Sequence, residues 1–118
     1  MKEQFTARML RIHFGEDDLW QGKPLYEAIL TQCWQLGIPD AIVFRGIEGY
    51  GSASRIRHSS HWPLSKDAPI KMSVIGTDEQ VAQLIPYLDA MVKEGLIATS
   101  TVEAIRYSRA PEKNAGKP

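Results

Sequence analysis

The stretch Pro69-Ile70-Lys71-Met72-Ser73-Val74-Ile75, followed almost at once by Thr77-Asp78-Glu79-Gln80, decides the fold. Ile70, Met72 and Val74 fall on one side, the period of two that marks a strand with one buried face. Thr77 and Gln80 then stand three apart, the spacing of a capping box in which each side chain bonds the other residue's amide and a helix begins. Beyond it Val81, Leu84, Ile85, Leu88, Met91 and Val92 occupy an arc of about 120° in helical projection. Pro86 falls inside this helix and should bend it, because its amide donor is missing. Gly95 is expected to close the helix, and Thr101-Val102-Glu103-Ala104-Ile105-Arg106-Tyr107 reads as the strand that follows.

The same order stands upstream. Arg8-Met9-Leu10-Arg11-Ile12-His13-Phe14 alternates like a strand, with Leu10, Ile12 and Phe14 on the buried side. Pro24 suits a first helical position and Gly37 the residue just past a helix end. Between them Leu25, Ile29, Cys33 and Leu36 lie within about 80°, and Tyr26, Leu30 and Trp34 widen the stripe to roughly 180°. A helix that broad either sits deep in a small core or meets a second subunit. Asp40-Ala41-Ile42-Val43-Phe44 is a second strand, rich in β-formers.

Two β-α-β units in 118 residues predict an α+β, ferredoxin-like βαββαβ fold: one four-stranded antiparallel sheet with both helices on a single face. The other face needs a cover, and Met9, Ile47 and the flank of the first helix are its candidate contacts. Residues 1–107 form a single domain in this reading, and 108–118 are a polar tail without periodicity, expected to be disordered.

The composition excludes several classes. Lys and Arg number 14, Asp and Glu 14, and 43% of residues are hydrophobic, so no net charge draws the chain to nucleic acid or anionic lipid. A single cysteine excludes an intrachain disulfide. No apolar run approaches the ~20 residues of a membrane span, and no secretory signal core precedes the first strand. The expected compartment is the cytoplasm.

Among chemistry-bearing residues, Cys33 shares the apolar stripe of its helix and reads as a buried, inert thiol. No Gly-x-Ser-x-Gly elbow is present. Asp17 and Asp18 read as loop solvation and helix-start charge. His58 and His61, three apart in a loop, make a weak metal pair. Arg45, Arg55 and Arg57 are more informative: they bracket Gly46, Gly49 and Gly51, with Ser52, Ser54 and His58 among them. Guanidinium forks beside exposed backbone amides suit a phosphate or carboxylate, and Arg106 could join across the sheet or from a neighbouring subunit. Spacing alone favours equally a basic loop that orders on a protein partner.

Gly22-Lys23-Pro24-Leu25-Tyr26-Glu27-Ala28-Ile29, Arg45-Gly46-Ile47-Glu48-Gly49-Tyr50-Gly51, Ser54-Arg55-Ile56, Leu64-Ser65-x-Asp67-x-Pro69-Ile70 and Asp89-x-Met91-Val92-x-Glu94-Gly95-Leu96-Ile97, in this order, resemble the domain of unknown function one-ninety family. The likeness spans Arg8 to Arg106. That family resembles the nitrogen regulatory PII and CutA-like proteins, ferredoxin-like subunits assembled as trimers. The resemblance implies a homotrimer with small anionic effectors, often adenine nucleotides, in clefts between subunits, and no required cofactor. It also implies a signalling loop between the second and third strands, here roughly Gly49 to Asp67, that contacts a target such as a membrane transporter or an enzyme. The chain departs from PII proteins in lacking their glycine-rich nucleotide loop before the last strand, where Lys93-Glu94-Gly95-Leu96-Ile97 is short, and their modified loop tyrosine context.

The expectation is therefore a non-enzymatic, PII-like regulator whose ligand is held by Arg45, Gly46, Gly49, Gly51, Ser52, Arg55, Arg57 and Arg106. Arg45, leaving a rigid strand, should be the principal anchor, with Arg55 and Arg57 on a mobile loop. Otherwise Arg45 pairs internally with Glu48 or Glu103. The alternatives are an enzyme acting on a small phosphorylated or carboxylated metabolite, with His58 as acid or base, and a CutA-like ion-tolerance protein using His58 and His61.

Overall fold

The computed structural model describes residues 1–51, 55–58 and 67–109. Its main elements follow the order β1 (Lys2–Gly15), α1 (Leu25–Gln35), β2 (Asp40–Arg45), β3 (Pro69–Gly76), α2 (Asp78–Met91) and β4 (Leu96–Tyr107). The four strands form one antiparallel sheet in the order β2-β3-β1-β4. This is the ferredoxin-like α+β arrangement. Leu10 and Ile12 of β1 and Met72 and Val74 of β3 are fully buried, in one cluster with Leu25, Ile29 and Cys33 of α1 and Val81, Leu84 and Leu88 of α2. Among the described residues no helix is long and apolar enough to cross a membrane.

Local chemistry sets the helix ends. The Thr77 hydroxyl accepts from the Gln80 amide at 3.1 Å, and the Gln80 side chain accepts from the Thr77 amide at 3.0 Å, which completes the capping box. Gln80 also donates to the Gly37 carbonyl at 2.9 Å, so the start of α2 is tied to the end of α1. Gly37 takes a φ of +73°, and the amides of Gly37 and Ile38 return to the carbonyls of Trp34 and Cys33. That is a Schellman ending, which needs a residue free to enter the left-handed region.

Four expectations are corrected. β1 starts at Lys2 and not Arg8, and β4 at Leu96 and not Thr101; the two pair from Lys2↔Tyr107 to His13↔Leu96. Residues 2–7 of β1 therefore form, with β4, a two-stranded arm that runs past the end of β3. Along residues 2–7 only Ala7 is buried, with Phe5 half-buried, so the sequence there carries little apolar alternation. Pro24 precedes α1 instead of opening it, and the Leu25 amide donates to the Asp18 carbonyl at 2.9 Å. α2 ends at Met91, with Val92 already extended. Gly95 lies further on, where a Cβ would stand 2.5 Å from the His13 carbonyl oxygen. Its smallness serves a close approach to β1, not a helix cap.

The sheet face away from the helices keeps Ile42, Phe44 and Leu96 about half exposed, with the Lys71 ammonium 4.7 Å from the Phe44 ring. Leu30 and Trp34 on the flank of α1 and Ile47 after β2 are also exposed. Met9 is half-buried.

Thr77→Ala should lower stability by about 1 kcal/mol, the usual cost of losing a helix cap, as read from a urea titration. Burial pushes the Cys33 thiol up to about 11, so it stays protonated at neutral pH. Native protein at pH 8 should therefore be alkylated far more slowly than protein unfolded in urea, as followed by mass spectrometry.

Candidate functional site

The loop that follows β1 is the foundation of the site. The Glu16 amide donates to the Ala68 carbonyl at 2.8 Å, and the Asp18 amide to the Gly15 carbonyl at 3.1 Å. The Asp18 carboxylate accepts from the Gly15 amide at 3.1 Å. Glu16, Asp17 and Asp18 are thus presented from rigid backbone beside the start of β3. Arg45, the last residue of β2, sets its Nε and Nη2 on Glu16 at 2.9 and 3.0 Å, a bidentate fork. Arg57 and His58 pair with Glu48 and Gly49 in a two-residue ribbon outside the main sheet. That ribbon swings Arg57 inward. Its guanidinium is only 11% exposed, with Asp17 at 2.6 Å, Asp67 at 3.6 Å and Asp18 at 3.9 Å. Arg55, about half exposed, reaches Asp67 at 2.5 Å and Asp17 at 3.2 Å.

The hydrogen bond to Glu16 raises Arg45 further above its ordinary value, and the bond to Asp67 does the same for Arg55. Arg45 and Arg55 stay charged at any working pH. Buried Arg57 needs its carboxylates: a guanidinium out of water without counter-charge is strongly destabilising. Gly15 makes the arrangement sterically possible, because a Cβ there would run into the Arg57 guanidinium.

Arg45, Arg55 and Arg57 do come together, but their expected roles change. Arg45 pairs with Glu16, and neither Glu48 nor Glu103 is its partner. Arg57 is not a solvated loop residue; it is the most deeply placed of the three. The Gly46 amide donates to the Pro69 carbonyl at 2.7 Å and is not open to a ligand. Gly49 lies in the ribbon, and Gly51 has open space around it. Arg106 pairs in register with Glu3 on the arm, about 35 Å along β1 from Phe14 at the usual strand rise. It can meet the cluster only from another subunit. Ser52 and His61 lie outside the described residues, and so do 110–118 of the expected tail. Among the described residues no group of His, Cys, Asp and Glu is placed to hold a metal ion.

Sequence reading missed the acidic half of the site. Asp17 and Asp18 looked like surface charge, and Asp67, some fifty residues away in the chain, shared no pattern with them. Beside the cluster a cleft of about 280 Å³ is lined by His13, Phe14, Tyr50, Arg57, Ile70 and Leu96, among others. Its walls are mainly apolar, with the Arg57 guanidinium at one side.

The family model DUF190, described as uncharacterized ACR, matches residues 7–104. The chain belongs to the DUF190 family. It is 32% identical over 98 residues to a UPF0166 protein of Aquifex aeolicus, covering 83% of this chain and 92% of that one. To a UPF0166 protein of Methanocaldococcus jannaschii it is 29% identical over 92 residues, covering 77% and 84%. Among solved structures it is similar to CPII, a nitrogen regulatory PII-like protein from Thiomonas intermedia K12 bound to ADP, AMP and bicarbonate. The TM-score is 0.63 at 15% identity, over 86% of this chain and 91% of that one. A putative PII-like signaling protein from Thermus thermophilus gives 0.57 at 10% identity, over 88% and 92%. The fold of this DUF190 chain is that of PII-like proteins.

In the DUF190 chain, Gly15→Ala should push the Arg57 guanidinium off its carboxylates without unfolding the sheet. Amide exchange at residues 56–58 should quicken clearly, and stability should fall by about 3 kcal/mol, the order of cost of separating a buried charge from its partners. Unchanged exchange at those amides would show that the guanidinium repacks around the methyl group.

Proposed function

We propose that this protein is a non-catalytic, PII-like regulatory subunit that assembles as a homotrimer. It binds a small anionic effector, an adenine nucleotide in the first instance, and signals to a target protein through the segment between β2 and β3. The observation that carries the reading is the gathering of Arg45, Arg55 and Arg57 at one end of the rigid sheet, beside a mainly apolar cleft. An apolar wall suits a purine ring, and guanidinium forks suit its phosphates. CPII, which shares the fold, is bound to ADP, AMP and bicarbonate. Gly49, Gly51 and Ser52 lie on the same segment, and Arg106 would enter from a neighbouring protomer. The half-exposed sheet face with Ile42, Phe44 and Leu96 is the surface that a trimer would cover.

Sedimentation and calorimetric titration with ADP test this together. A trimer that binds ADP saturably without hydrolysing it is the expected result. Arg55→Ala should weaken binding by roughly 1.5–3 kcal/mol, the range for a hydrogen bond to a charged group. A monomer that binds neither ADP nor AMP would sink the reading.

A further inference from the structure

Within one protomer, Arg45, Arg55 and Arg57 each already have a carboxylate partner. Glu16 holds Arg45; Asp17 bridges Arg55 and Arg57; Asp67 contacts both. With Asp18, four carboxylates face three guanidinium groups. An incoming anion therefore meets a cluster with one negative charge in excess, and simple addition is disfavoured. Nor can Arg57 be released to wait for a ligand, since at 11% exposure it would be left buried and unpaired. Exchange of one anion for another satisfies both constraints. The carboxylates differ in their freedom to leave. Glu16 is only 14% exposed, whereas Asp17 is 47% exposed and can turn into water.

We infer that Asp17 and Asp67 are internal competitors for the effector: they occupy Arg55 and Arg57 in the unliganded protein, and a polyanionic ligand binds by displacing them. Because Asp67 adjoins β3 and Arg55 adjoins the ribbon, the exchange also unties the ribbon from the start of β3. The two aspartates would then set both the affinity and the conformational response. This deepens the proposed function and rests on its assignment of the arginines to the anion.

The test uses full-length Asp17→Asn, Asp67→Asn and the double variant, with inorganic pyrophosphate and ADP as probes. Melting temperatures establish that each variant folds, and either single change suffices if the double does not. In the unliganded variants, amide exchange at residues 55–58 should be faster than in the wild type and should slow when pyrophosphate is added. The double variant should bind pyrophosphate about tenfold more tightly than the wild type, the size of one charge-assisted contact no longer displaced. Faster exchange with unchanged or weaker pyrophosphate binding would overturn the inference and leave the pairs purely structural. Tighter pyrophosphate binding with no ADP binding in any form would sink the nucleotide reading while competition stands. Equal ADP affinity in wild type and variants would sink competition while nucleotide binding stands.

Discussion

Leu10, Ile12, Met72 and Val74 are wholly out of water on one face of the sheet, while Ile42, Phe44 and Leu96 on the other face stay about half exposed. A chain of 118 residues has two helices to bury and one sheet to bury them on, so the core can form on one side only. Everything else is arranged around that asymmetry. The helices are tied to each other through Gln80 and Gly37 at one end. At the other end, where β1 leaves the core after Phe14, the chain turns through Gly15 to Asp18 and meets the arginines. The uncovered face is the cost of the design, and it is why a second copy belongs in the functional reading.

The charged cluster depends on that core in a specific way. Five consecutive residues change task one after another: Phe14 packs in the core, Gly15 admits Arg57, Glu16 holds Arg45, Asp17 bridges two arginines, and Asp18 receives the first amide of α1. Surface ion pairs are worth little individually, usually under about 1 kcal/mol. Here the partner that matters is the buried one. Arg57 makes the cluster strongly conditional, because its carboxylates cannot simply be subtracted.

Elements with a core-facing side were legible in the sequence. The capping box, the alternation along β1 and β3, and the stripe of α1 all reported burial, and burial is periodic. Residues 2–7 of the arm escaped because only Ala7 among them is buried, so pairing left little hydrophobic trace. The tight turn through Gln21 and Gly22, both at positive φ, pairs Leu19–Trp20 with Lys23–Pro24; it escaped because two-residue strands are too short for a period. In the site, the glycine-flanked arginines were visible as a local pattern. Their partners were not: Asp17 with Arg57 and Glu16 with Arg45 are long-range pairs, and charge complementarity across such distances has no signature in one sequence. The burial of Arg57 was not legible for the same reason, since burial of a loop arginine is decided by what folds against it.

The two halves of the cluster are held by different means, and that difference fixes which half can move. On the acidic side, backbone hydrogen bonds join Glu16 to Ala68, Asp18 to Gly15 and Leu25 to Asp18. Breaking them would disturb β1, β3 and α1 together. On the basic side, the strand carrying Arg57 and His58 is joined to Glu48 and Gly49 by a ladder of two residue pairs, and Arg55 is joined to the rest through side chains. A short ladder of that kind is marginal on its own. If the ion pairs are exchanged for bonds to a ligand, the acidic turn stays in place and the ribbon moves. A charge exchange at Arg55 and Arg57 would thus become a displacement of the ribbon that carries Arg57, with the sheet as the fixed frame against which it is read.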